Sequence, residues 1–278
     1  MTTVRSALAE GLEKLADIET PFLDVTVLLA YALGISKEQL LASYPEEIPP
    51  SILKNYHSCL EKRLSGLPVS YILGKKEFYG LPFYVDERVL VPRPETETLI
   101  EAALEELTFF ADKRRLLDLC TGSGCVGITL AYLRPELFVT ASDISADALE
   151  VARINSRHLL SAQPRLVESN LYEEIEGKFD LIVSNPPYLT SEENEEMQRR
   201  GRPEPAAALD GGTDGLDHVR GILLGGFAHL TSNGYLLIEG DVRRIALIAE
   251  LFRDFGYGET RIYQDLSNRG RVVGGRKP

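Results

Sequence analysis

From Arg115 to Val273 short apolar runs alternate with longer stretches of helical period, and this alternation restricts the fold more than any other feature of the chain. Leu116–Leu119, Phe138–Ser142, Arg165–Glu168, Phe179–Ser184, Tyr235–Glu239, Thr260–Tyr263 and Arg271–Val273 read as seven strands. Helical patterns fill most gaps, as over Ala146–Leu160, Gly215–Leu230 and Arg243–Phe255. Leu181, Ile182 and Val183 are apolar in succession, which suits a strand packed on both faces. Strands and helices in this order close their core by crossing over both faces of one mainly parallel sheet, the doubly wound α/β arrangement.

The first 67 residues follow a different pattern. Leu8, Leu12 and Leu15 share one helical face, as do Val25, Leu28, Leu29, Ala32 and Leu33 before Gly34 stops the run. Ser36 suits an N-cap, and Pro45, Pro49 and Pro50 precede another helix from Ser51 to Leu64. Residues 1–67 are therefore expected to form a small helical bundle, either a stabilising appendage or a docking module. Over residues 68–94 the period changes, and Glu77-Phe-Tyr-Gly-Leu-Pro-Phe-Tyr-Val-Asp86 alternates around Gly80 as a β-hairpin would. Residues 95–278 complete the α/β domain, opening with a helix over Glu95–Leu107.

Composition narrows the function classes. With 42 acidic against 30 basic residues the net charge is −12, which lowers the odds of an enzyme that grips nucleic acid through phosphates. No stretch approaches the roughly 20 apolar residues that span a bilayer, and the first residues lack a signal-peptide pattern. Cys59, Cys120 and Cys125 have no metal-finger spacing, and the four histidines lie far apart without HExxH. A cytoplasmic protein without a metal is expected. Cys125 reads as a small packed residue. The Glu192–Glu196 run reads as a solvated face. Arg199, Arg200 and Arg202 read as exposed arginines.

The chemistry gathers at two strand ends. After the first strand comes Asp118-Leu-Cys-Thr-Gly122-Ser-Gly124-Cys-Val-Gly127, a tight glycine turn entering a helix. Gly122 and Gly124 would let backbone turn sharply beside a ligand. Without a Gly-Lys-Ser/Thr ending it is no Walker phosphate loop. Asp143 ends the second strand, 19 residues beyond Gly124, where a carboxylate can accept from both hydroxyls of a ribose. The pair implies a ribose-containing cofactor and leaves open a dinucleotide or S-adenosylmethionine.

The fourth strand runs into Asn185-Pro186-Pro187-Tyr188, and two prolines in succession can donate nothing to a sheet ladder. For methyl transfer from a sulfonium the tetrapeptide has a use. An amide or aromatic amine nitrogen is a weak nucleophile because its lone pair is delocalised. Two oxygen acceptors, the Asn185 side chain and the Pro186 carbonyl, can take its two hydrogens and aim the lone pair at the methyl carbon. Tyr188 offers a flat face for the planar group, and no strong base is needed.

Asn-Pro-Pro-Tyr occurs in methyltransferases acting on adenine N6 and in those acting on protein glutamine, and this chain resembles the second group. The resemblance to the release factor glutamine methyltransferase family covers nearly the whole chain. It rests on Glu77-Phe-Tyr-Gly-Leu-Pro-Phe83, Val89-Leu-Val-Pro-Arg-Pro-Glu-Thr-Glu97, Asp118-Leu-Cys-Thr-Gly-Ser-Gly-Cys125, Phe179-Asp-Leu-Ile-Val-Ser-Asn-Pro-Pro-Tyr188 and Glu204-Pro-Ala-Ala-Ala-Leu-Asp-Gly-Gly-Thr-Asp-Gly-Leu216. A sibling family modifies a glutamine of a large-subunit ribosomal protein, and Arg93-Pro-Glu-Thr-Glu97 looks more like the release-factor branch.

The resemblance implies a seven-stranded Rossmann-like methyltransferase domain, preceded by the bundle and the joining hairpin. S-adenosylmethionine would be the donor and S-adenosylhomocysteine the product. The acceptor would be the glutamine N5 in the Gly-Gly-Gln motif of class I peptide chain release factors, with the bundle helping to bind the factor and no nucleic-acid or membrane partner. By the same resemblance Thr121, Gly122, Ser123, Gly124, Asp143, Asn170 and Asn185 hold the cofactor, Asp118 props the glycine turn from beneath, and Asn185, Pro186, Pro187 and Tyr188 hold the glutamine. Cys120 stands where many such turns carry a glycine, and Asn170 stands where an Asp is usual.

Overall fold

A computed structural model describes residues 2–108, 114–201 and 203–278; Arg202 lies outside the described residues. The chain divides into two units, Met1–Lys75 with Gly201–Pro203, and Lys76–Arg200 with Glu204–Pro278.

The first unit is helical: α1 (Val4–Lys14), α2 (Pro21–Leu33), α3 (Lys37–Ala42), α4 (Pro50–Leu64) and α5 (Val69–Leu73). Thr3 and Ser36 cap α1 and α3 with reciprocal capping boxes, and Gly34 ends α2 in the left-handed conformation that a side chain resists. Leu8, Leu15, Val25, Leu28, Leu29, Leu40, Tyr56 and Leu60 form its core. Gly11 lets α1 approach α4, since a Cβ there would lie 2.0 Å from the Tyr56 hydroxyl. Asp24 and Arg63 pair at 2.7 Å within this unit.

The second unit opens with an antiparallel hairpin, β1 (Lys76–Phe78) and β2 (Leu81–Phe83), turning at Tyr79 and Gly80. A 3-10 turn at Pro94–Thr96 leads into α6 (Glu97–Leu107). There follow β3 (Arg115–Leu119), α7 (Cys125–Leu133), β4 (Phe138–Asp143), α8 (Ala146–Leu159), β5 (Arg165–Glu168) and β6 (Phe179–Ser184). Next come α9 (Ser191–Arg199), a second 3-10 turn (Ala206–Ala208), α10 (Asp217–His229) and β7 (Leu230–Glu239). The unit ends with α11 (Ile245–Asp254), β8 (Gly258–Gln264) and β9 (Gly270–Arg276).

The seven-stranded sheet has the order β5-β4-β3-β6-β7-β9-β8, parallel except for β9, which runs antiparallel to both neighbours. Alternate residues of the central strands feed two cores. Leu116, Leu181, Val183 and Leu237 pack beneath Leu99, Ala103, Val126 and Leu130 from α6 and α7. Leu117, Ile182, Leu236 and Ile238 face Val219, Ile222, Ile248 and Phe252 from α10 and α11. Burial on both faces is why these strands are apolar at consecutive positions. The Glu192–Glu196 run lies in α9, where Thr190 and Glu193 form a capping box, so this charged stretch is a capped helix.

Candidate functional site

Chain order reverses between β3 and β6, adjacent parallel strands, and in open α/β sheets the crevice beyond such strand ends is where ligands bind. A cleft lies there. Thr121, Gly122, Ser123, Asp143, Asn170, Asn185 and Pro187 all line it, whereas Gly124, Pro186 and Tyr188 are not on its lining. Among the described residues no group of three or more His, Cys, Asp or Glu is arranged to hold a metal ion, and no helix is long and apolar enough to cross a membrane.

The glycine turn is held from both sides. Asp118, buried at the end of β3, accepts from Thr121 Oγ1 at 2.5 Å and from the Gly127 N–H at 2.9 Å. Burial pushes its pKa up to about 7. From β4 the Asp143 carboxylate accepts from the Gly122 N–H at 2.8 Å and the Ser145 N–H at 3.0 Å, one on each oxygen. Each oxygen keeps a lone pair for a ligand hydroxyl. Burial raises this carboxyl too, while its bonds to Ser145 and Gly122 work the other way.

The two glycines act differently. Gly122 has φ +54 and open space where a Cβ would stand, so it lies free against the cleft. Gly124, at φ +82, caps α7, and a Cβ there would meet Ile128 Cδ1 at 2.5 Å and Ala152 Cβ at 3.2 Å. Its smallness lets α7 close on α8. Cys120 takes φ +58, a conformation that favours glycine and one that its Cβ strains.

Asn185 stands just past the end of β6, partly exposed on the cleft wall. Its Nδ2 donates to Thr96 Oγ1 at 3.1 Å, which leaves Oδ1 as the acceptor for a visitor. Pro186 is buried and Tyr188 half-buried, with burial pushing the Tyr188 pKa up to about 12, so its hydroxyl stays protonated. A loop from Glu204 to Leu216 clamps the residue that follows this tetrapeptide: Leu189 N–H donates to Leu209 O at 3.0 Å, and Gly211 N–H to Leu189 O at 2.7 Å. Asn170 is exposed at the far wall, donating to Glu173 at 2.9 Å through Nδ2 with its oxygen left over.

Residues 6–74 match the PrmC N-terminal domain and residues 95–200 the Methyltransferase small domain. The chain is 39% identical to a release factor glutamine methyltransferase of Neisseria gonorrhoeae over 96% of its own length and 95% of the relative. A second relative of that name, from Koribacter versatilis, is 38% identical with 99% of each chain covered. The chain belongs to the release factor glutamine methyltransferase family. A solved methyltransferase from Pyrococcus furiosus shares the fold, with 19% identity, a TM-score of 0.52, and 73% of this chain and 91% of that one covered.

For a release factor glutamine methyltransferase, three cleft features escaped the sequence reading. Arg93 Nη2 bonds both oxygens of Glu204 at 2.6 and 2.8 Å, and Val91 N–H donates to the same carboxylate at 3.3 Å. This pair ties the segment before α6 to the clamping loop. Ile144, next to Asp143, lines the cleft although 62% exposed, a free apolar surface beside the carboxylate. Thr96 and Glu239 stand behind Asn185, and Thr96 Oγ1 donates to Glu239 Oε1 at 3.2 Å. The two positions are 143 apart, and no spacing in the sequence announces their meeting.

Proposed function

We propose that this chain methylates the side-chain amide nitrogen of the glutamine in the Gly-Gly-Gln motif of class I peptide chain release factors, using S-adenosylmethionine and releasing S-adenosylhomocysteine. The observation that carries this reading is Asn185, its oxygen free, on the same cleft as Gly122 and Asp143.

The residues fit the cofactor. Asp143 has a lone pair on each oxygen for the ribose hydroxyls, Ile144 offers an apolar face for the adenine, and the Asn170 oxygen can accept from its amino group. When bound, the cofactor supplies an electrophilic methyl carbon. The chain's part is to hold the acceptor. Asn185 Oδ1 and the Pro186 carbonyl take the two amide hydrogens, so the nitrogen lone pair is aimed and the charge that develops there meets two fixed dipoles. The prolines bring no N–H to compete for those oxygens. Tyr188, kept neutral, packs against the planar amide. Residues 1–67 serve as the docking module for the factor, residues 68–94 as the joining hairpin segment, and residues 95–278 as the transferase. The setting is the cytoplasm, and nucleic acid is not the substrate.

The test is to incubate the full-length protein with methyl-labelled S-adenosylmethionine and either a class I release factor or DNA, then map the labelled peptide. Label on the Gly-Gly-Gln glutamine is the expected result. Label in DNA, or none in either, overturns the reading.

A further inference from the structure

Behind Asn185 runs a chain of two hydrogen bonds, from its Nδ2 to Thr96 Oγ1 at 3.1 Å and from that hydroxyl to Glu239 Oε1 at 3.2 Å. Thr96 closes the turn before α6, Glu239 ends β7, and both are buried. A hydroxyl has one hydrogen. Once a carboxylate takes it, the hydroxyl oxygen can only accept, so the group turned toward it from Asn185 must be NH2. The Asn185 oxygen then has to face the cleft. A side chain flipped end for end fills the same volume but presents hydrogens to a substrate nitrogen that brings hydrogens of its own.

The geometry points to Glu239 and Thr96 as positioning residues for methyl transfer: the buried carboxylate sets the direction of the hydrogen-bond chain and so holds the Asn185 oxygen toward the substrate amide. This inference rests on the function proposed above. Packing alone does not account for the carboxylate, because its Oε2 is buried with no hydrogen-bond partner among the described residues. A strand end that only had to pack would be better served by an apolar side chain. Burial pushes the Glu239 pKa up to about 7, its Thr96 bond and Arg271 of β9 pull it down, and Glu95 of the turn raises it. Cys125 of α7 and Tyr188 beyond β6 also feel its charge, and Arg271 is itself bonded to Asp265 at 3.0 Å.

Glu239→Gln keeps the shape but can donate to Thr96, which frees the hydroxyl to turn the Asn185 amide over. We expect kcat on the release factor to fall about tenfold or more, with KM and cofactor affinity held within about twofold. Thr96→Val should lose as much, Thr96→Ser should stay within about twofold of the parent, and Glu239→Gln with Thr96→Val together should lose no more than either alone. The kcat of the parent should fall on the acid side of about pH 7, a limb absent from Glu239→Gln. Parental kcat in both Glu239→Gln and Thr96→Val overturns the inference, as does Thr96→Ser being as slow as Thr96→Val. Should Glu239→Gln not fold, the Ser and Val pair and the parental pH limb decide. A parent inactive on the factor sinks the proposed function instead. The chain can then be read without turnover from the Asn185 side-chain NH2, whose hydrogens should exchange slowly in the parent and Thr96→Ser and fast in Thr96→Val; equal rates in all three overturn the inference.

Discussion

Asp118 and Glu239 are carboxyls sealed inside the sheet, and keeping them there has a consequence that pH exposes. Their pKa values stand at about 7 against ordinary values of 3.8 and 4.5, with burial as the first cause for each. Between about pH 4 and about pH 7 the folded protein binds protons that the unfolded chain has shed. The stability these groups contribute is thus full below about pH 4 and lost as pH rises through about 7. Asp86, Asp241 and Glu193 are shifted downward, and their contributions fade only in more acid solution. Urea midpoints should therefore drop between about pH 5 and about pH 8, and Asp118→Asn should flatten that profile. The two cleft-lining side chains Asn185 and Asp143 separate in another way. Asn185→Ala should abolish transfer while leaving cofactor affinity by calorimetry within about twofold. Asp143→Ala should weaken cofactor binding about tenfold or more, since both its oxygens hold the turn that lines the cleft.

Among elements, the clamping loop does most to shape the Asn185–Tyr188 tetrapeptide. Gly211 and Gly215 let it press on backbone: Cβ atoms there would stand 2.8 Å from Pro187 O and 2.4 Å from Tyr188 O. Gly215 has φ +77 besides, so Gly215→Ala should cost at least about 2 kcal/mol in urea denaturation and lower transfer. The strand ends of β3, β4 and β6 could be read from sequence because local geometry dictates residue type there: glycine for the turn, a carboxylate that holds it, rigid backbone past the asparagine. Other features could not. Glu204 looked like one acid in a loop until Arg93, more than 100 residues earlier, was seen to grip it. The start of β7 at Leu230, five residues before its apolar run, was hidden because Thr231, Ser232 and Asn233 resemble a turn. The charges of α9 obscured its helix, although Thr190 and Glu193 carried the capping signal.

At the scale of the whole molecule the two units have separate cores, one from Val4 to Leu60 and two stacked on the faces of the sheet. Leu28 is wholly buried in the first, so Leu28→Ala should lower the stability of the helical unit by about 2–5 kcal/mol. Cofactor affinity by calorimetry should stay as it was, and a matching loss there would show that the units fold as one. The alternation of apolar runs with helical stretches made this fold legible early, whereas the antiparallel course of β9 was not legible, since strand direction is set by partners far along the chain. Gly274 and Gly275 leave room there for Tyr235 and Phe252, whose rings would meet a Cβ at 2.5 and 2.6 Å. The strand synthesised last of the seven lies between two made before it. β8 reaches the sheet only through β9, so it has no partner until the strand that follows it in the chain has paired with β7.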